Sequence, residues 1–235
     1  MLVGLGEFKM AFKYDSVVPW GRSFQEYVDM FSLTHSDLNK SILSCGDGPA
    51  SFNSAMNQKG KTVVSIDPIY QLRASELEKR IEETYDIVLT QTKENKDKFN
   101  WTSIKDVEEL GKLRMNAMKQ FLSDYEIGKK EHRYIPAELP VLPFEDKEFD
   151  LSLSSHFLFL YTDNLSLEFH IEAVKEMLRV SKEVRIFPLL DVNATTSPYL
   201  NDVIHRFSKK GYNPEKIRVN YEFQKGGNLM LKIRK

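Results

Sequence analysis

The sequence predicts an α/β protein: a doubly wound, mostly parallel seven-stranded sheet with an antiparallel C-terminal hairpin and a helical insertion. Three observations predict it. Short apolar runs alternate along the chain with stretches whose apolar residues recur at helical spacing, the pattern of strands crossed over by helices. The first central run, Ser41 to Cys45, passes directly into the glycine-containing loop GDGPAS, as a buried strand does when it turns straight into a helix. Near the end, two strand-like runs flank QKGGN, which reads as a hairpin added to the edge of the sheet.

Each element follows in order. In SFQEYVDMF, Phe24, Tyr27, Val28 and Phe31 fall on one helical face, and Ser23 with Glu26 forms a capping-box signature. After SILSC, Pro49 suits the first turn of a helix running to about Gln58, and Gly60 suits the left-handed position past its end. KTVVSID is the second strand. From Gln71 to about Lys130 the chain becomes helical. Leu77, Ile81, Tyr85 and Val88 make one stripe; Val107, Leu110, Leu113, Met118, Phe121 and Tyr125 make another, with the polar turn KENKDKFN between them. So long an excursion between strands predicts a cap packed over the sheet. Strands then return as HRYIPAE, FDLSLSS and EVRIFPLL, with the helix LEFHIEAVKEMLRV between the last two and Pro188 near the end of the third. SPYLNDVIHRFSKKGY predicts a helix stopped by Gly211, and IRVNYEF with LMLKIRK forms the closing hairpin. Length favours a single domain over 1–235, with an N-terminal helical segment over 1–40 and the cap over 71–131.

Composition narrows the function. Hydrophobic residues make up 41% and charged residues 29%, ordinary globular usage with room for a buried core. A formal net charge of -1 predicts no polyanion partner and no anionic membrane surface, so nucleic acid is an unfavoured partner. The basic stretch from Leu189 to Lys235 reads as a solvated face. One cysteine, Cys45, excludes an intramolecular disulfide and a multi-cysteine zinc site, and the five histidines lack ligand spacing, so no metal is expected. The start MLVGLGEFKMAFK has no signal-peptide layout, and no run approaches a membrane span, which predicts a cytoplasmic chain.

Chemistry gathers at the first strand's end. In a doubly wound sheet, ligands bind outside the carboxyl ends of the strands where strand order reverses. Gly46 and Gly48 permit backbone shapes closed to other residues and let a ligand approach the main chain. Asp67, some twenty residues later at the end of the second strand, is placed to accept bonds from both hydroxyls of a ribose. Together they predict a nucleoside ligand. A dinucleotide fingerprint wants a third glycine at position 51 beneath a pyrophosphate, and this chain has Ser51, so nicotinamide cofactors lose ground.

With ILSCGDGPASF as glycine loop, VVSIDPIY as second-strand acid, and ELPVLPFEDKEFDLSLSSHFL supplying an acid, a Leu-Pro-Phe step and a Phe-Asp pair at Phe149 and Asp150, the chain resembles the class I S-adenosylmethionine-dependent methyltransferases, which have a Rossmann-like fold. It is also similar to uncharacterised methyltransferase-like bacterial proteins. The resemblance spans Ile42 to Arg185 apart from the insertion, and also the final hairpin. It implies S-adenosylmethionine as cofactor. By the same resemblance, Cys45 is a cofactor-binding residue, Gly46 and Gly48 lie against the methionine part, Asp67 holds the ribose, Pro68 and Ile69 flank adenine, Glu138 and Leu139 meet its edge, and Ser155 borders the pocket. Two positions depart from the family pattern: Ser44 stands where an acid often ends the first strand, and Ala50 where a third glycine often stands. Arg22, in YDSVVPWGRSF, is the candidate partner of the methionine carboxylate, because a fork of donors suits that group.

Methyl transfer from a sulfonium is an in-line displacement, so alignment and exclusion of water do most of the work. His156, just past the fourth strand, is the candidate base where an acceptor must lose a proton; Tyr161 and Asp191 are candidates to orient the acceptor. Tyr14, Trp20 and Tyr27 with the cap predict an enclosure for a small apolar or aromatic acceptor. The leading expectation is a small-molecule methyltransferase. Its rivals are a non-catalytic regulator that binds S-adenosylmethionine, a nicotinamide-dependent oxidoreductase, and an enzyme with RNA as acceptor.

Overall fold

The computed structural model describes residues 18–235. Seven strands form one sheet: β1 (Ile42–Cys45), β2 (Val63–Ile66), β3 (Tyr134–Ile135), β4 (Phe149–Ser155), β5 (Ser181–Phe187), β6 (Asn213–Arg218) and β7 (Leu229–Arg234), in the order β3-β2-β1-β4-β5-β7-β6. The first five are parallel, and β7 pairs antiparallel with both β5 and β6. This is the Rossmann-like sheet with an antiparallel C-terminal hairpin that the sequence predicts. Every residue of β1 is buried, as a central strand covered on both faces requires.

Helices cover both faces. One face packs α5 (Leu167–Val180) and α6 (Leu200–Lys209) around Val174, Met177, Val184 and Leu231, all at or near zero exposure. Ser166 opens α5 by accepting the Phe169 N–H at 3.2 Å, and the apolar stripe Ile171, Val174 and Leu178 is the side it buries. Each such side chain contributes about 1.5–3 kcal/mol on burial. The opposite face carries α1 (Phe24–Met30) and α2 (Phe52–Gln58), whose Tyr27, Met30, Phe52 and Met56 pack on Ile42, Leu151 and Leu153. The predicted capping box of α1 is present in both directions, with Ser23 and Glu26 exchanging bonds.

The insertion between β2 and β3 consists of α3 (Ala74–Glu94) and α4 (Val107–Lys130), which pack on one another; α4 also touches α2 and β3. Phe121 and Tyr125 of α4 are buried with Tyr70 and Tyr134, while Leu113, read as part of the same stripe, is 41% exposed. Its helical phase places it at the margin of the contact. Leu77, Ile81 and Val88 of α3 are buried as expected.

Four boundaries differ from the sequence reading. α2 begins at Phe52 rather than near Pro49, because 46–51 is spent on the turn. The run HRYIPAE pairs only at Tyr134 and Ile135. α6 covers Leu200–Lys209 only, although Gly211 does take φ +80° past its end. The first hairpin strand is Asn213–Arg218, upstream of most of IRVNYEF, and a longer connection replaces the tight glycine turn. Pro214, which argues against a central strand, is tolerated because β6 is the sheet's edge.

Candidate functional site

From β1 the chain adds β2 and β3 on one side and returns to place β4 on the other, so the carboxyl ends of β1 and β4 diverge over a crevice. A cavity of about 400 Å³ lies there, within the range of small-ligand sites. Its floor is the loop after β1. Gly46 takes φ +64° and Gly48 φ +52°, both in the left-handed region. A Cβ on Gly46 would lie 2.8 Å from the Phe157 ring, whereas one on Gly48, which also lines the cavity, would meet nothing within 4 Å.

Asp67 lines this cavity and is 8% exposed. One carboxylate oxygen accepts the Gly48 N–H at 2.9 Å and the other the Ile69 N–H at 3.0 Å, so the same group braces the glycine loop and caps the short turn that follows β2. Each oxygen keeps a further lone pair. Burial pushes the Asp67 carboxyl up to about 6, the two N–H bonds pull against that, and the Asp47 and Glu138 carboxylates push it further up.

Sequence reasoning passed over Asp47. Its carboxylate is buried in the loop and accepts from the Tyr27, Ser44 and Ser65 hydroxyls, the last at 2.6 Å. Burial raises its pKa while the three hydroxyls lower it. Ser44, the departure noted at the end of the first strand, is thus one of the groups that hold an acid two residues past that strand. The middle residue of a GDG triplet was the available signal.

Arg22 enters from the segment before α1. Its carbonyl accepts the Ser51 N–H at 2.9 Å, and Gly21 lets the two loops meet, since a Cβ there would be 2.1 Å from the Pro49 carbonyl oxygen. The guanidinium lines the cavity with one hydrogen bond, Nη1 to the Trp20 carbonyl at 2.5 Å. Its Nε is buried without a partner, and among the described residues no carboxylate pairs with it. The nearby Glu26 pairs instead with Arg114 at 2.6 Å and accepts from Tyr221 at 3.0 Å; the buried Arg114 guanidinium, with that of Arg22, holds the Glu26 carboxyl down at about 2 against desolvation.

Across the crevice, His156 follows β4 at φ +51°, an uncommon conformation for a side-chain-bearing residue, fixed by its N–H to the Phe187 carbonyl at 2.7 Å. Its Nδ1 lies 3.0 Å from Ser155 Oγ. Burial lowers the imidazole pKa well below 6.5, and Arg22 and Arg114 lower it further, so the ring is neutral at neutral pH. Tyr161 lines the same space, its hydroxyl 3.5 Å from the Val18 N–H.

Pro68, Ile69, Leu139 and Ser155 also border the cavity, and Glu138 stands exposed at its rim. Two expectations fail. Cys45 is wholly buried on the far side of β1 among Ile66 and Leu139, because alternation along the strand turns it into the core, away from the cavity. Asp191 does not line the cavity and accepts the Asn193 and Thr195 N–H groups at 2.8 and 2.9 Å, so it caps its own loop. Trp20 and Tyr27 border the cavity, although Tyr27 is 1% exposed and engaged with Asp47; Tyr14 falls outside the described residues.

The loop geometry disfavours a dinucleotide. The Ala50 and Ser51 N–H groups bond to Asp47 and Arg22 carbonyls instead of pointing free toward a pyrophosphate, and the adjacent buried carboxylates repel one.

The uncharacterised protein MJ0045 of Methanocaldococcus jannaschii is 38% identical over 216 residues, covering 92% of this chain and 95% of that one. The chain belongs to its family. No model of a described protein family matches. Among solved structures, the chain is similar to a TehB-like SAM-dependent methyltransferase of Corynebacterium glutamicum (14% identity, 91% of this chain and 88% of that one, TM-score 0.48). It is similar also to magnesium protoporphyrin IX methyltransferase of Synechocystis, solved with bound SAM (10% identity, 85% and 73%, TM-score 0.46). The curated relative is archaeal, which leaves the bacterial likeness without support. Among the described residues, no helix is long and apolar enough to cross a membrane.

Proposed function

We propose that the protein is an S-adenosylmethionine-dependent methyltransferase acting on a small molecule by in-line transfer. The observation that carries this reading is the charge layout around the glycine loop: the half-buried Arg22 guanidinium, without a carboxylate partner among the described residues, lines the same cavity as two buried carboxylates, Asp47 and Asp67. A zwitterionic amino acid joined to a ribose fits that layout. Its carboxylate would take the Arg22 fork, its ammonium the Asp47 side of the loop, and its ribose hydroxyls the free lone pairs of Asp67. The open side of Gly48 leaves the room such a ligand needs.

When bound, S-adenosylmethionine supplies an electrophilic methyl on a sulfonium. The residues of this chain do the rest. Pro68, Ile69 and Leu139 hold an adenine between apolar walls, and Glu138 meets its edge. With Nδ1–H donated to Ser155, the lone pair of His156 lies on Nε2, where it takes the proton that an O–H or N–H acceptor gives up. Tyr161 and Trp20 position the acceptor and exclude water.

Calorimetric titration with S-adenosylhomocysteine tests the cofactor reading without knowledge of the acceptor. Wild-type protein is expected to bind it, with Asp67→Ala and Arg22→Met each weaker by about 1.5–3 kcal/mol, the worth of a hydrogen bond to a charged group. Absence of binding by the wild type, or equal affinity in both variants, would refute the proposal.

A further inference from the structure

A second cavity of about 100 Å³ adjoins the first, and Trp20, Arg22, Val88, His156 and Leu160 line both. The shared wall thus holds the residues assigned above to the methionine carboxylate and the base, whereas none of those assigned to ribose or adenine lines the smaller space. A molecule seated there meets the reacting end of the cofactor. Its far wall is apolar and aromatic: Leu110 of α4, Val192, and Phe99 with Phe223, whose ring centroids lie 4.8 Å apart. The Asn100 N–H donates to the Phe223 carbonyl at 2.7 Å and the Lys225 N–H to the Lys98 carbonyl at 2.9 Å, so backbone bonds between the insertion and the β6–β7 connection hold the two rings in place. Thr92 spends its hydroxyl on the Val88 carbonyl at 2.7 Å, and Gln224 its amide N–H on the Asp191 carbonyl at 2.9 Å. The volume is of the order of the roughly 150 Å³ apolar cavity that holds one benzene ring.

Charge balance narrows the class further. Among the described residues, the charged groups lining the two cavities are Arg22, Asp47, Asp67, Glu138 and Arg114. Arg114 is paired with Glu26 at 2.6 Å, and Glu138 stands exposed to water. The sulfonium, ammonium and carboxylate of a bound cofactor, taken with Arg22 and the ionised Asp47 and Asp67, carry no net charge. The His156 ring is neutral. A charged acceptor would therefore give up its water without gaining a free counter-ion. A neutral imidazole on the shared wall suits a nucleophile that must lose a proton, which a hydroxyl does. We propose that the smaller cavity is the acceptor subsite and that its acceptor is an uncharged, single-ring phenol, the ring against Phe99 and Phe223 and the hydroxyl toward His156. The phenol oxygen bonds to the methyl carbon as the carbon–sulfur bond breaks, its electron pair staying on sulfur, and the hydroxyl proton passes to His156. The inference rests on the cofactor reading, and the insertion that supplies Phe99 and Leu110 is what makes the subsite.

The test is calorimetric titration of protein saturated with sinefungin, an S-adenosylmethionine analogue whose amine keeps a positive charge at the sulfonium position. The probes are 4-methylphenol, the anion 4-hydroxybenzoate, the cation 4-(aminomethyl)phenol and the saturated ring 4-methylcyclohexanol. The phenol is expected to bind at least about tenfold more tightly than either ion, which must shed its water, and about threefold more tightly than the saturated ring, the worth of an aromatic contact. Val192→Phe narrows the smaller cavity from a residue that does not line the larger one, and is expected to abolish phenol binding while sinefungin affinity stays within about twofold. Phe99→Leu keeps an apolar wall without a ring, and is expected to erase most of the preference for the phenol over the saturated ring. No binding of the phenol, an ion or the saturated ring bound as tightly as the phenol, or phenol binding untouched by Val192→Phe overturns the inference while leaving the cofactor reading in place. Failure of the wild type to bind sinefungin overturns both.

Discussion

Asp67 shows at single-residue scale how a binding group strains the fold that holds it. Its folded pKa of about 6 stands above the ordinary 3.8, so its contribution to stability is fully present below pH 3.8 and is lost as pH rises through about 6. At neutral pH the ionised group costs the unliganded protein up to about 3 kcal/mol. Asp67→Asn is thus expected to gain stability over wild type as urea melts move from pH 5 to pH 7.5, less whatever is lost at one of the two N–H bonds, while its S-adenosylhomocysteine affinity falls. A constant difference between the melts across that range would show that Asp67 ionisation is not penalised. His156 has the opposite sign. Its lowered pKa means stability is present above 6.5 and lost as pH falls below that value, and an NMR titration of the ring is expected to show no midpoint between pH 6 and 8. Asp67 was legible because strand-end acids occupy a definable place in sequence. Asp47 was not, since its three hydroxyl partners come from Tyr27, Ser44 and Ser65, and only the folded chain brings them together.

Among the elements, the link between α1 and α4 matters most to the site. Glu26 caps its own helix, pairs with Arg114 of the insertion and accepts from Tyr221, so one carboxylate ties three distant parts of the chain together around Arg22. Removing one member of a buried pair strands the other charge. Glu26→Gln and Arg114→Met are each expected to cost about 3–5 kcal/mol, and the double variant much less than the sum, as measured by a denaturant double-mutant cycle. Additive losses would mean the pair is not coupled. The capping box and the apolar stripes were readable from spacing alone. The pairing of Glu26 with Arg114 was not, because the residues lie 88 apart in sequence and each looks like an ordinary surface charge.

For the whole molecule, ligand binding to the folded state alone must raise stability by mass action. At a hundredfold excess over Kd the gain is about 2.7 kcal/mol, which for a chain of this size raises Tm by about 5–11 °C. S-adenosylhomocysteine is expected to give that shift and NADH none, since the Gly48, Ala50 and Ser51 N–H groups are taken by Asp67, Asp47 and Arg22 and the buried Asp47 and Asp67 carboxylates repel a pyrophosphate. A larger shift with NADH would favour the oxidoreductase reading.

The chain's own order of apolar runs, glycines and acids determined the doubly wound sheet, the helical insertion and the place of the crevice, because those depend on local periodicity and on backbone shapes that few residues permit. Strand ends blurred where tertiary pairing set them, as at β3 and β6. Tertiary structure alone decided that Cys45 turns into the core and Asp191 serves its own loop, that Arg22 has no carboxylate partner among the described residues, and that a second, smaller cavity forms beneath the insertion. Burial and charge balance are sums over residues far apart in sequence, and no local pattern encodes them.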